Sequence, residues 1–519
     1  MAKLNPVLET IKTERPEMKS RYCLAALTLT AVGCSMLPSV GPDYNGVEVS
    51  DRAFELPDAG FPTTNLTATC EYRAAESNAD DRLVISNESI RRWWTRFNDP
   101  VLSELIENSA TNSLTFKMAL KRLERANWEI LGVEAAFAPR FDIGGNWNRS
   151  WYRRYTSHGS HTQYNAARAA LDASWEIDVF GGTRRATEAA HAEAEAEAWS
   201  VADTWVILAT RIASEYVNLR TMQSRLEVAR TNLVLQSETY DILKSRLDSG
   251  IGDELAVNQC AYIVEQTRAR IPQLVAAEEA GKNALAILAG LTPGSLHGQL
   301  APLGTRRDWL VEPQRLAEMP ISTMLARPDV KAAERRLAAQ TARIGVAKAQ
   351  WFPRFFLTGT VGFEATPDSH KIFARDSFFA SLGPSVSWPI FQGGAIYANV
   401  KATEARLGEL ALAFEQTVDE AYGQVRDAYS SYTQEYHRFQ ALKAAVKAAT
   451  DAVTISKDLY KNGLKDFNNV LDAQRSRLQL EEEFVISRGQ ITQNLISLYR
   501  ALGGGLTLTD EEINASLKN

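Results

Sequence analysis

Trp205, Ile212, Leu219, Leu226, Leu233, Tyr240 and Leu247 fall at every seventh position, and so do Val418, Val425, Tyr432, Phe439, Val446, Val453 and Tyr460. An apolar ladder sustained this long specifies a coiled-coil seam rather than a short globular helix. At 1.5 Å per residue each ladder covers on the order of 60 Å. The ladders are 213 positions apart at both ends, Trp205 against Val418 and Leu247 against Tyr460. The same offset relates Gly250 to Gly463, Asp253 to Asp466, Val257 to Val470, Leu285 to Leu498 and Gly290 to Gly503. The chain is therefore internally duplicated and elongated.

Bulk properties narrow the class. A formal net charge of -6 over 519 residues argues against nucleic acid as the main partner. Beyond the N-terminus no apolar run reaches the roughly 18 residues of a transmembrane helix, which says nothing of alternating barrel strands. Cys23, Cys34, Cys70 and Cys260 form no CxxC pair, which argues against a disulfide framework or a zinc site.

The N-terminal region reads as an export signal. Met18-Lys19-Ser20-Arg21 is basic, residues 22–32 are apolar and Thr-rich, and Gly33-Cys34 follows; a signal of this form starts at Met18. Ala31-Val32-Gly33-Cys34 resembles a bacterial lipobox, with Ala31 where that pattern has Leu. On this reading residues 1–33 are signal, Cys34 is the lipidated first residue of the mature chain, and Ser35 after it resembles sorting to the outer membrane. An ordinary cleaved signal is the alternative. Residues 34–92 then form a lipid anchor and tether, Pro-, Gly-, Asn- and Thr-rich over 39–80.

Between the rods the period changes. Asn98-Asp99-Pro100 opens a helix expected over 101–138, and Pro139 ends it. Residues 140–151 then alternate, with Phe141, Ile143, Trp147 and Trp151 against Asp142, Asn146, Asn148 and Ser150. Residues 169–180 alternate Leu171, Ala173, Trp175 and Ile177 against Asp172, Ser174, Glu176 and Asp178. Each strand has about the length that crosses a bilayer at a tilt. Residues 152–168, with His158 and His161, read as an exposed loop. A soluble amphipathic hairpin is the alternative, and the three tryptophans on the apolar faces favour an interfacial aromatic girdle. A coiled coil is expected over 183–289, with Pro272 kinking its return helix, and a link over 291–319. The order then recurs: a helix from Arg327-Pro328-Asp329 to about Trp351, strands at 355–363 and 380–390, and a coiled coil at 395–502.

Four strands cannot close a barrel, because the smallest membrane barrels need about eight. An open edge in lipid would leave unpaired backbone groups at several kcal/mol each. Strands of this kind in a bilayer require a barrel shared between chains, with the helices continuing it as a tube.

The chain resembles the outer membrane factor family, the TolC-like channels, and within it the lipoprotein branch paired with resistance-nodulation-division efflux pumps. The resemblance rests on Trp93-Trp94 with Asp99-Pro100, Ser174-Trp175-Glu176-Ile177-Asp178-Val179-Phe180-Gly181, Ile271-Pro272-Gln273-Leu274, Arg327-Pro328-Asp329-Val330, Ala342-Arg343-Ile344-Gly345-Val346-Ala347, Pro384-Ser385-Val386-Ser387-Trp388-Pro389-Ile390-Phe391 and Val470-Leu471-Asp472-Ala473-Gln474. It implies a mainly α protein with membrane β: a homotrimer with a twelve-stranded barrel, a helical periplasmic tunnel and a mixed equatorial collar. Residues 93–300 and 327–505 would be its two efflux repeats, 301–326 the equatorial linker and 506–519 a tail. It also implies passive export of small toxic compounds from an inner-membrane pump through a periplasmic adaptor, with outer membrane lipid around the barrel. A type I protein-secretion conduit is the runner-up, and a periplasmic coiled-coil scaffold without a pore is a third reading.

No catalytic constellation, metal spacing or phosphate loop is present in the sequence, so neither an enzyme nor a cofactor is expected, beyond the lipid on Cys34. Function is expected instead at the two coiled-coil turns. The resemblance places a constriction at Asp472 and Asn469, where relatives often carry acid at both, and a latch at Lys465 with Asp253 and Asp466 as partners. Asp253 and Asp466 follow glycines and equally suit simple helix caps. Asp142, Asp172, Glu176 and Asp178 would make the barrel lumen mildly acidic, with a weak preference for cations.

Overall fold

The computed structural model describes residues 39–46, 82–84, 90–153, 161–301, 315–318, 326–365, 372–462 and 464–505. In chain order the elements are β1 (Arg82–Val84), α1 (Pro100–Asn112), α2 (Leu114–Glu134), β2 (Arg140–Arg153), β3 (His161–Ile177), α3 (Gly182–Asp248), α4 (Glu254–Leu288), β4 (Arg315–Glu318), α5 (Pro328–Ala349), β5 (Arg354–Ala365), β6 (Phe378–Ser387), α6 (Ala395–Lys461) and α7 (Phe467–Ala501). Cys34, His158, Gly463 and the 506–519 tail lie outside the described residues.

The duplication holds to the residue. Helices α3 and α6 each have 67 residues and are offset by 213; α4 and α7 each have 35, at the same offset. The rods are about 100 Å and 50 Å long. No helix so long is held by propensity alone; packing of its apolar seam stabilises it. Trp205, Ile212, Leu219 and Leu226 of the first ladder are buried, as are Val418, Val425, Tyr432, Phe439 and Val453 of the second. Pro272 sits inside α4 without interrupting it.

At one end the four long strands form one antiparallel sheet in the order β2-β3-β5-β6. The register runs Ile143↔Leu171↔Val361↔Ala380 on one face and Asp142↔Asp172↔Thr360↔Ser381 on the other. One face is therefore mainly apolar and the other largely polar, and among the described residues both outer strands have a free edge. Trp175 and Trp388 donate their indole N–H groups to the carbonyls of Phe137 and Trp351, at the two helix-to-strand junctions.

Four sequence expectations need correction. The helix expected over 101–138 is two helices, broken at the buried Ser113. The break admits the end of α4: Gly290 has φ +73°, and a Cβ there would lie 2.2 Å from the Asn112 carbonyl oxygen, so only glycine fits. The supposed loop at 152–168 is mostly strand, because pairing continues to Arg153↔His161 beyond the apolar band. The fourth strand ends at Ser387, before Trp388 and Ile390. The 291–319 link contains β4, which pairs in parallel with β1; three or four residues carry no readable period.

Near the sheet, α2, α3, α5 and α6 lie side by side. Phe116 packs on Trp205, Glu193 pairs with Arg343, and Gln340 bonds the Thr403 carbonyl. Further away α4 and α7 fold back along α3 and α6. Glu482 of α7 sits between Arg225 of α3 and Arg270 of α4. A core at mid-length joins the repeats: Trp93 stacks on Tyr499, and Trp205 donates to the Gly505 carbonyl. Residues 39–46 lie against the sheet end of α3 and α5, with Val40 bonded to Phe180, Asp43 to the buried Arg185, and Gly41 crossing Gly345.

Candidate functional site

The far ends of the two hairpins meet through Leu243, Val257, Cys260, Phe467, Val470 and Leu471. Burial pushes the Cys260 thiol up to about 11, so it is a packing residue there. Asp253 begins α4 and accepts from the Leu255 N–H at 3.0 Å. Asp466 holds the matching position in α7 without a side-chain cap bond. The 213 offset thus relates two positions of which only one caps with its carboxylate. Replacing Asp253 with Ala is expected to cost about 1 kcal/mol of local stability, read as faster hydrogen exchange in the first turn of α4; Asp466→Ala should change the α7 turn much less.

Asn469 and Asp472 lie one turn apart on the exposed side of α7. Asn469 donates to the Asp466 carbonyl at 3.2 Å. Asp472, with its side chain 74% exposed, accepts from Arg475 at 3.3 Å, and the Arg475 guanidinium lies 5.3 Å over the Tyr262 ring of α4. An exposed pair of this kind is worth well under about 1 kcal/mol, so Asp472 keeps an accessible negative charge with a cation beside it. Lys465 is exposed and makes no ion pair with Asp253 or Asp466 in the single chain. Sequence reasoning missed Arg475, three residues after Asp472, and Arg246, whose guanidinium lies 5.2 Å over the Tyr460 ring across the hairpins. It also missed Ile251 and Leu464, exposed aliphatic residues at equivalent places in the two turns.

At the sheet, arginines accompany the carboxylates on the polar face. Arg140 pairs with Asp142 at 2.8 Å, Arg168 with Asp172 at 3.4 Å, and Arg354 with Glu176 through two nitrogens. Asp142, Asp172, Glu176 and Glu364 against Arg140, Arg168 and Arg354 leave one net negative charge per chain. Asp178 does not belong to this face. It lies past the end of β3, is buried, and accepts from the backbone N–H and guanidinium of Arg184 at the start of α3. The strand expected to reach residue 180 ends at Ile177, so the alternation was carried past its end.

A sheet with an apolar face and two free edges, set on paired rods about 100 Å long, defines the class of outer membrane channel with a periplasmic extension. A sequence profile of the outer membrane efflux protein family matches residues 105–291 and 321–504, and the chain belongs to that family. Nodulation protein T of Rhizobium leguminosarum bv. trifolii is 28% identical over 88% of this chain and 91% of its own length. Outer membrane protein OprJ of Pseudomonas aeruginosa is 28% identical over 95% of this chain and 96% of its own. Among solved structures, the outer-membrane channel OprN superposes with a TM-score of 0.77 at 30% identity, over 90% of this chain and 99% of that one. The Neisseria gonorrhoeae MtrE outer membrane channel superposes with a TM-score of 0.73 at 25% identity, over 91% and 100%. OprN and MtrE are outer membrane channels, and the matched family is one of outer membrane efflux proteins rather than enzymes.

Proposed function

We propose that three copies of the chain join edge to edge into one twelve-stranded barrel and one helical duct, a passive exit for small toxic molecules in a tripartite efflux system. The carrying observation is the four-stranded sheet with both edges free and one face apolar. In lipid each unpaired backbone group on those edges would cost several kcal/mol, and pairing between copies removes that cost. The coiled-coil ends, with exposed Ile251 and Leu464, form the inner mouth and the docking surface for a periplasmic adaptor and an inner-membrane resistance-nodulation-division pump. Asp472 and Asn469 line that mouth, and Lys465 with Asp253 and Asp466 latches it between copies. The names of two relatives, a toluene efflux pump outer membrane protein and a cation efflux system protein, support small molecules as cargo. Deleting the gene should raise susceptibility to drugs or solvents and leave secreted polypeptides unchanged; loss of a secreted polypeptide instead would favour a protein-secretion conduit.

Cys34 carries the lipid anchor. Ser39 packs against Gly181 just below the sheet, and the five residue-to-residue steps from Cys34 to Ser39 reach at most roughly 18 Å, enough to place the lipid at the nearer membrane surface. Cys34→Ala is expected to abolish incorporation of labelled palmitate while barrel insertion persists. Retained label would remove the anchor. The net negative charge of the polar face supports a weak preference for cations, measured as the reversal potential in a salt gradient; anion selectivity would contradict it.

A further inference from the structure

The internal repeat makes the chain its own template for the contact between copies. Helix α3 is flanked by α2 on one side and α5 on the other. Near the sheet, helix α6, its counterpart, has α5 on one side and no neighbour on the other among the described residues. The α2–α3 contact recurs as α5–α6: Glu134 bonds His191, and Lys348 pairs with Glu404. This fixes the equivalences at 213 for α3 and α6 and 214 for α2 and α5. The α3–α5 contact has no within-chain counterpart, because its partners would be the free faces of α6 and α2.

Those faces carry the marks of a missing neighbour. Ala189, Ala192, Ala196 and Trp199 of α3 are buried; their counterparts Ala402, Ala405, Glu409 and Leu412 are all exposed. Trp199 is 6% exposed and Leu412 69%. On the other side, Ala332 and Ala342 of α5 are buried, whereas Met118 and Trp128 of α2 are 55% and 45% exposed. Two large apolar side chains on α2 and one on α6 stand where the template places a buried seam.

The charges settle which face meets which. Within the chain Glu193 of α3 pairs with Arg343 of α5 at 3.0 Å. The equivalences put Arg406 at the place of Glu193 and Glu129 at the place of Arg343. The pair is kept and its polarity is reversed. In the single chain both side chains are exposed and held only by neighbours on their own helices, Glu129 by Arg125 and Arg406 by Glu409. We infer that Arg406 of one copy pairs with Glu129 of the next, docking the free face of α6 on the free face of α2 as α3 docks on α5. The reversal has a use. If α3 met α2 of another copy, Glu193 would face Glu129; if α6 met α5 of another copy, Arg406 would face Arg343. Both wrong pairings set like charges together, so the polarity separates within-chain from between-chain neighbours.

This inference rests on the proposal that copies close a ring, and the test separates the two. The full chain is purified in detergent, and the temperature at which its trimer dissociates is read on semi-native gels. Glu129→Arg and Arg406→Glu should each lower that temperature, and the double variant should regain the wild-type value. A disulfide gives a second readout. Ala192 meets Ala339 within the chain, so Arg125→Cys with Ala405→Cys should link up to three chains on oxidation, and neither single cysteine should. Trimers that dissociate at the wild-type temperature in all charge variants, or a cysteine pair that never crosslinks, would overturn the pairing while leaving the ring intact. A wild-type protein with no trimer to dissociate would instead overturn the ring itself, and the pairing with it.

Discussion

Replacing Ile143 with Arg should abolish channels in the outer membrane, whereas replacing its neighbour Gly144 with Arg should leave them. Ile143 is 88% exposed in the single chain and lies in a row with Leu171 and Val361, an aliphatic band that only lipid would cover. An arginine facing lipid costs up to roughly 2–4 kcal/mol near the midplane of a barrel. Every copy in an assembly carries the same change, so the penalty multiplies with the number of chains. Gly144 points the other way, in a row with Ala170 and Gly362, and a side chain built there meets nothing within 4 Å. Outer-membrane fractionation and bilayer conductance read both variants. Equal loss in the two would mean that neither face is in lipid.

Trp93→Ala should produce the largest loss of stability from a single truncation, about 3–5 kcal/mol. Trp93 is 1% exposed, stacks on Tyr499 at 5.7 Å, and meets Trp94 and Phe97 edge to face. Tyr499 ends the last helix of the second repeat, and Trp93 precedes the first helix of the first. Gly505 adds to this clasp, donating its N–H to the Ile90 carbonyl while its own carbonyl accepts from Trp205. Truncation leaves a cavity where the halves join, and the helices around it are too regular to collapse into it. Urea unfolding in detergent measures the loss. A change under about 1 kcal/mol would show that this core is not the joint between repeats.

What the sequence made readable follows from period. Heptads spaced over two long rods, and alternation over two pairs of strands, are signals that accumulate with length, so α3, α6 and the sheet were legible. The break at Ser113 was not. Gly290, more than 170 residues away, packs into it, and the only local sign, the polar run Thr111-Asn112-Ser113, is weak beside the apolar repeat on either side. The parallel pair of β1 and β4 escaped because neither strand is long enough to show alternation. At the candidate site, the resemblance pointed to Asp253 and Asp472, and strand alternation to Asp142, Asp172 and Glu176 on the polar face, but neither pointed to the arginines beside them. Arg354 reaches Glu176 across the register of two strands, and Arg168 reaches Asp172 along its own strand by side-chain length, neither of which the spacing of carboxylates announces. Asp178 failed for a different reason: alternation continued through it, although the strand had already ended at Ile177. The reversed polarity of Glu129 and Arg406 was present in the sequence throughout, and needed only the three-dimensional contact of Glu193 with Arg343 to give it meaning.

On the proposed assembly, one chain makes a third of a hollow cylinder and has no stable form in lipid by itself. Light scattering of the detergent-solubilised protein, on the same sample that is tested for conductance in planar bilayers, measures it most directly. A protein mass of three chains together with stepwise conductance is the expected result. A detergent-independent single chain that never conducts would contradict it.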